Sequence, residues 1–181
     1  MLTSTIVPRP IAWVTTVSVA GVRNAAPFSF FNAMSRDPAV LAVGMIDAAD
    51  GRMKDTAQNI VDTGEFVVNL VTRTAAEAMS LTSIDAPPDV DEIQLANLET
   101  KPSIKVTPGR IAISPVSFEC KLHTKIELSN QLIALGEIVH AHIDDMMMLV
   151  RKNITSTHLS LNSYPACTAV DVTEMPIPFS R

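Results

Sequence analysis

Residues 11–19 read IAWVTTVSV and, after a turn at Ala20-Gly21, residues 24–32 read NAAPFSFFN. The first run is rich in β-branched side chains, which favour a strand. The second run alternates loosely between apolar and polar residues and contains Pro27, which cannot donate a hydrogen bond to a neighbouring strand. The two runs together predict a β-hairpin whose second strand is bulged or lies at a sheet edge.

The rest of the chain continues this mainly β pattern. Short apolar runs predict strands over 40–46, 66–71, 116–122 and 132–143, whereas helical spacing predicts short helices over 54–63 and 75–82. Residues 85–110 contain four prolines and predict a long irregular excursion. Neighbouring strands with little helix favour a closed antiparallel barrel over a doubly wound parallel sheet.

Composition limits the classes of function. The 181 residues are 47% hydrophobic, which predicts a single domain over 1–181 with a substantial core. The net charge of -5 predicts no binding to nucleic acid or to an anionic membrane. The two cysteines are too few for a disulfide framework, and the sequence shows neither a leader nor a membrane-spanning run. These features predict a cytoplasmic protein.

Residues 51–56 (GRMKDT) form a candidate anion site. The segment places a lysine, a hydroxyl group and the unpaired N–H groups of a helix start within one turn, which suits a terminal phosphate. Lys54 and Thr56 are the candidate ligands. An ordinary exposed capping turn has the same composition, so the residues alone leave both interpretations open.

Aromatic and short polar residues are mixed along the first strands. Trp13, Thr15 and Thr16 precede a second group formed by Ser29, Phe31, Asn32 and Ser35. A flavin ring needs this mixture, because one of its edges is apolar and the other carries hydrogen-bond donors and acceptors. Half-buried strands that face core and solvent alternately would also show it.

His140 and His142 are two residues apart on a predicted strand and therefore share a face. A metal would need a third ligand from elsewhere, and the sequence shows none, so no metal site is predicted. Cys120 lies in the middle of a predicted strand, where a buried and unreactive thiol is usual.

Three ordered motifs resemble the flavin reductase-like family of FMN-binding split β-barrels. They are PRPIAWVTT at 8–16, NAAPFSFFNA at 24–33 and SRDP at 35–38. The resemblance continues through KDT at 54–56, TGEFVVN at 63–69, VDE at 90–92 and LGEIV at 135–139. It implies a six-stranded antiparallel Greek-key split barrel with a few short helices, in a homodimer that binds FMN near the subunit interface. It also implies hydride transfer from NADH or NADPH.

The resemblance also assigns site residues. Those expected along the isoalloxazine ring and ribityl chain are Trp13, Val14, Thr15, Thr16, Ser29, Phe30, Phe31 and Asn32. Those expected around the phosphate are Ser35, Lys54, Asp55 and Thr56, with Arg9 as a second cation. Asp55 is expected to orient Lys54 or to cap the helix, because a carboxylate facing phosphate would repel it. His142 is assigned as a catalytic residue on the nicotinamide side.

Two functions follow from the resemblance. The first is an NAD(P)H-dependent FMN reductase, which could supply a partner monooxygenase with reduced flavin. The alternative is an FMN-binding electron-transfer or carrier module without reductase activity. The alternative rests on Asn162 and Ser163, which stand where the family has two glycines and are expected to crowd the flavin.

Overall fold

The structure is a computed structural model that describes residues 2–145. It is mainly β, as predicted. Its strands are β1 (Ala12–Val17), β2 (Arg23–Phe28), β3 (Phe30–Arg36), β4 (Ala39–Ile46), β5 (Glu65–Leu70), β6 (Thr100–Lys101), β7 (Arg110–Ile111), β8 (Val116–Leu128) and β9 (Gln131–Ile143). Its helices are α1 (Leu2–Thr5), α2 (Asp55–Thr63), α3 (Ala76–Leu81) and α4 (Glu92–Leu95), with a 3₁₀ turn at Arg73–Ala75. Within the described residues no helix is long and apolar enough to cross a membrane.

Seven strands form one antiparallel sheet in the order β2-β1-β5-β8-β9-β4-β3. The two edge strands, β2 and β3, follow each other in the chain with only Ser29 between them. The sheet therefore curls until its edges meet, which confirms the predicted split barrel. The sheet has seven strands rather than the predicted six, because the predicted strand at 24–32 bends at Ser29. One half of it pairs with β1 and the other half pairs with β4.

The concave face of the sheet holds the main core. Helix α2 packs Ala57 and Ile60 against it and ends, as predicted, at Gly64, whose left-handed φ of 71° suits glycine. Cys120 is also fully buried here, and burial raises the pKa of its thiol. The buried members of this core are Ala12, Val14, Phe28, Leu41, Val43, Met45, Ala57, Ile60, Phe66, Val68, Cys120, Leu132 and Ala134.

The convex face of the sheet is covered by residues from 75 to 111, which include the excursion that sequence analysis predicted to be irregular. Trp13 packs there with Ala75, Met79 and Ile111 in a second apolar cluster. Asn69, fully buried beside it, accepts hydrogen bonds from Ile111 N–H at 3.0 Å and from the Ser117 hydroxyl at 2.9 Å. Its carboxamide also donates to the Trp13 carbonyl at 3.0 Å. Asn69 thus fixes the excursion to the central strands.

We expect Gly136→Ala to destabilise the barrel. A Cβ atom at this position in β9 would lie 2.2 Å from Phe66 Cζ, and the buried Phe66 ring has no room to retreat. Overpacking of this kind costs about 1–3 kcal/mol of unfolding free energy. Urea denaturation of the wild-type and variant proteins measures the loss.

The Phe66→Leu variant supplies the control for this prediction. A shorter side chain at position 66 relieves the contact, so Gly136→Ala should cost less in the Phe66→Leu background than in the wild type. An equal cost in both backgrounds would show that the clash with the ring is not the cause.

Candidate functional site

A cleft opens where the edge strand β2 meets the start of α2. Its walls are residues 24–28 of β2, the first turn of α2, the segment 82–86 and Glu92, and it encloses about 50 Å³. Lys54, Asp55 and Thr56, which sequence analysis assigned to the phosphate, all line it. The excursion therefore supplies one wall of the site, and the hairpin that decides the fold supplies the other.

Helix α2 begins without a side-chain cap. Its N-cap residue is Lys54, in extended conformation, and within residues 2–145 no side-chain capping hydrogen bond is made at this helix start. Asp55 Oδ1 lies 3.1 Å from Arg52 Nη1, and Lys54 rather than Asp55 occupies the N-cap position. The expectation that Asp55 orients Lys54 stays a prediction. Among the described residues no carboxylate pairs with Lys54, which leaves a cation and unpaired N–H groups side by side.

A buried polar network supports the cleft from behind. Asn24 Oδ1 accepts hydrogen bonds from the hydroxyls of Thr56 at 2.7 Å and Thr16 at 3.3 Å. Asn59 Nδ2 in turn donates to Thr16 Oγ1 at 3.0 Å, and all four side chains are buried. Because each bond joins a different pair of elements among β1, β2 and α2, the network fixes the helix start against the hairpin.

Glu92 extends this network from α4 into the cleft. Its Oε1 accepts a hydrogen bond from Asn24 Nδ2 at 3.1 Å. Its Oε2 is buried and has no partner in the described part of the chain. Burial raises the pKa of Glu92, and the nearby charge of Asp55 raises it further. An acidic group with an unsatisfied oxygen in a cleft is suited to a ligand that carries hydroxyl or phosphate oxygens.

The ring-binding residues assigned on β1 point into the protein. The indole of Trp13 is fully buried in the second apolar cluster and donates from Nε1 to Thr82 Oγ1 at 2.9 Å. Thr82 lines the cleft, so Trp13 supports a cleft wall through this bond. Val14 lies in the main core, and the Thr15 hydroxyl donates to the Gly109 carbonyl at 2.6 Å.

The assigned residues of the 29–35 segment lie beyond the cleft lining. Asn32 and Ser35 are exposed on β3, and Ser29 and Phe31 are half-buried. The guanidinium of Arg9 lies 5.9 Å from the centre of the Phe30 ring, within range of a cation–π contact. Arg9 also donates to the carbonyls of Thr3 and Ile6. Arg9 and Phe30 thus come together, and neither of them lines the cleft.

His142 lies on β9 and lines a different cavity, on the convex face of the sheet. Its Nε2 is 2.5 Å from Glu119 Oε1. Its assignment to the nicotinamide side stays a prediction. Asn162 and Ser163 lie outside the described residues.

Sequence analysis missed four residues of the site: Asn24, Arg52, Asn59 and Glu92. Asn24 and Glu92 stand inside motifs that carry the family resemblance, and Asn59 is one helical turn after Thr56. Their positions gave a signal, but only the fold shows that their side chains converge. Arg52 had no signal beyond its charge.

Comparison with known proteins shows the family of the chain. The model of the flavin reductase like domain matches residues 3–158. The chain belongs to the flavin reductase-like family. An uncharacterized protein of Aquifex aeolicus is 39% identical over 149 residues, which are 82% of this chain and 76% of that protein.

Two solved structures are similar to the chain over most of its length. Nitrilotriacetate monooxygenase component B from Bacillus cereus is 33% identical with a TM-score of 0.77, over 80% of this chain and 74% of that one. The 2-nitrobenzoate 2-nitroreductase NbaA of Pseudomonas fluorescens is 29% identical with a TM-score of 0.76, over 98% of this chain and 89% of that one.

We expect the stability of the protein to depend on pH through Glu92. A carboxyl group whose pKa is raised in the folded state stabilises the fold below its ordinary pKa, and this contribution is lost as the pH rises through the raised value. Glu92→Gln does not titrate, so its melting temperature relative to wild type should increase from pH 4.5 upward.

Glu99→Gln is the matched control, because Glu99 is exposed and remote from the cleft lining. The melting temperature of this control should differ from that of the wild type by the same amount at every pH in the range. If the difference between Glu92→Gln and the wild type is also constant with pH, then Glu92 does not carry a raised pKa.

Proposed function

We propose that the protein is an FMN reductase that takes hydride from NADH or NADPH and supplies a separate monooxygenase with reduced flavin. The observation that carries the proposal is the set of groups in the cleft. The uncapped start of α2 and the unpaired Lys54 suit a phosphate, and the unsatisfied Oε2 of Glu92 suits a polyol hydroxyl beside it. Flavin mononucleotide has these two groups next to each other.

Each cleft residue has a distinct part in binding. Lys54 supplies the charge that a phosphate dianion needs, and the α2 N–H groups add directed hydrogen bonds. Thr56 and Asn24 hold the helix start in place through their 2.7 Å hydrogen bond. The Glu92 carboxyl group can donate a hydrogen bond when it is protonated and accept one when it is ionised. It can therefore pair with a phosphate oxygen or with a hydroxyl group of the ligand.

The size of the cleft supports a dimeric site. A volume of about 50 Å³ holds only one end of a flavin nucleotide, since pockets for ligands of that size enclose about 300–1,000 Å³. The ring would then lie outside the cleft, along the segment that contains Ser29, Phe31 and Asn32. We therefore propose that a second copy of the chain covers the exposed side of the ring, as the family resemblance implies.

The bound flavin would supply the redox chemistry, since its ring accepts hydride from a nicotinamide. The protein then has to position the ring and keep water from it. The half-buried side chain of Phe31 lies on β3, just beyond the bend that follows the cleft wall, where it can pack beside the ring.

The proposed monooxygenase partner is supported by the Bacillus cereus neighbour, whose name describes one component of a monooxygenase. Such a component has to release its reduced flavin. The alternative, a module that retains FMN and passes electrons on, would need no nicotinamide site. The two functions differ in whether a nicotinamide reduces the bound flavin.

An anaerobic titration of the FMN-loaded protein with NADH and then NADPH tests the proposal. We expect the visible absorbance of oxidised flavin to bleach with at least one donor at a catalytically useful rate. Protein that stays yellow with both donors but bleaches with dithionite would favour the electron-transfer module and overturn the reductase.

Lys54→Ala should weaken the binding of FMN by about 1–3 kcal/mol, which is the free energy that one charge-assisted hydrogen bond contributes. Riboflavin has no phosphate, so its affinity should change much less in the same variant. Fluorescence titration with both ligands measures the two effects. Lys125→Ala, an exposed lysine in the β8–β9 hairpin, is the control and should leave both affinities unchanged. Equal losses of FMN and riboflavin in Lys54→Ala would place the phosphate elsewhere.

A further inference from the structure

Two histidines and a glutamate meet on the convex face of the sheet, outside the flavin cleft. His140 and His142 project from the same face of β9, and Glu119 of β8 is directly opposite His140 in the strand register. One potential ligand atom from each residue lies within 4.8 Å of the other two. The pairing of β8 with β9 thus supplies the third ligand that the sequence alone does not show.

The chemistry of this cluster is that of a transition-metal site. Two imidazoles and one carboxylate form a ligand set that zinc and related divalent ions use in proteins. We propose that Glu119, His140 and His142 form a binding site for a divalent transition-metal ion of the zinc class. The proposal does not depend on the flavin function.

The environment of Glu119 supports this assignment. Its side chain is fully buried, and its two oxygens accept hydrogen bonds from Ile104 N–H at 2.8 Å and Lys105 N–H at 2.6 Å. Burial by itself would raise the pKa of Glu119, but the hydrogen bonds from His142 and from these two amides lower it. The carboxylate is therefore ionised and held in one orientation, as ligating carboxylates usually are.

One distance in the cluster is shorter than two ligands of one ion would allow. Glu119 Oε1 and His142 Nε2 are 2.5 Å apart, a hydrogen-bond distance. Two ligands of one tetrahedral ion would be about 3.3 Å apart if their bonds to zinc are about 2.0–2.1 Å. Metal binding would therefore replace this hydrogen bond and separate the two groups by somewhat less than 1 Å. The His140 ring, which makes no hydrogen bond among the described residues, stands edge-on to His142 with 4.7 Å between centroids.

The site also has room for a ligand from solution. His142 lines a cavity of about 360 Å³ together with Ser114 and Asp144. Three protein ligands would leave a fourth position of the ion for a ligand from solution, which could arrive through this cavity beside His142. Lys101 and Arg110 line the same cavity, and their positive charges disfavour the binding of a cation. The carboxylates of Glu119 and Asp144 favour its binding. The open position and the two cations together would favour an anion as the fourth ligand.

Calorimetric titration of the chelator-treated full-length protein with Zn²⁺ tests the site. We expect one saturable equivalent per chain in the wild type. His140→Ala keeps the bond between Glu119 and His142, so it should fold normally, yet its Kd should rise at least tenfold. His123→Ala removes an exposed histidine of the same hairpin and should bind as wild type does.

Co²⁺ provides a second measurement that does not depend on heats of binding. The wild-type complex should show the intense visible absorption of four-coordinate cobalt, and both His140→Ala and His142→Ala should lose it. If Zn²⁺ does not bind at one equivalent, or if it binds His140→Ala as tightly as wild type, the proposal is wrong. Glu119 and His142 would then serve only to hold the 104–105 backbone against the sheet.

Discussion

The bend at Ser29 gives one stretch of chain two pairing partners, β1 before the bend and β4 after it. A flat sheet of seven strands would leave two edges far apart, each with unpaired backbone groups. Here the edges are consecutive in the chain, so the sheet has to curl, and curling gives it a concave face and a convex face. The concave face holds the apolar core, and both polar sites described above lie outside that core, at the sheet edge or on the convex face.

The position of the cleft between β2 and α2 follows from this geometry. Strand β2 is an edge, so its outer side is open to α2 and to the excursion rather than to another strand. Asn24, buried on β2, connects α2 with the excursion. Its carboxamide accepts a hydrogen bond from the Thr56 hydroxyl and donates one to Glu92. A single amide thus joins the hairpin, the helix and the excursion. Few other side chains could do so, because the position requires both a donor and an acceptor.

Buried polar groups also organise the convex face. Asn69 and Ser117 occupy neighbouring positions on β5 and β8, and Ser117 in turn faces His142 on β9. Backbone amides in the excursion and directly after it satisfy two of these groups, at residues 104–105 over Glu119 and at Ile111 over Asn69. Side-chain acceptors on the sheet therefore help to hold a segment that is rich in proline and has no long helix.

Local patterns were sufficient for much of the fold. β-Branched runs, Pro27, Gly64 and the spacing of residues 54–63 each report on backbone preference, which acts over a few residues. The family motifs added the split barrel, and they also predict a phosphate-binding role for Lys54 and Thr56. The bend divides one predicted strand in two, so that the sheet has seven strands rather than six. The sequence predicted only a bulged strand there, because the exact position of the bend depends on which neighbouring strands it pairs with.

The tertiary structure decided which distant side chains meet. Sequence spacing placed His140 and His142 on one face, but Glu119 joins them only because β8 and β9 pair in one particular register. In the same way Glu92 reaches Asn24, 68 residues away along the chain, through the path of the excursion. The sequence by itself determined the strands, the helix start and the family of this protein. The convergence of its polar groups depended on strand register and long-range packing, which no local preference encodes.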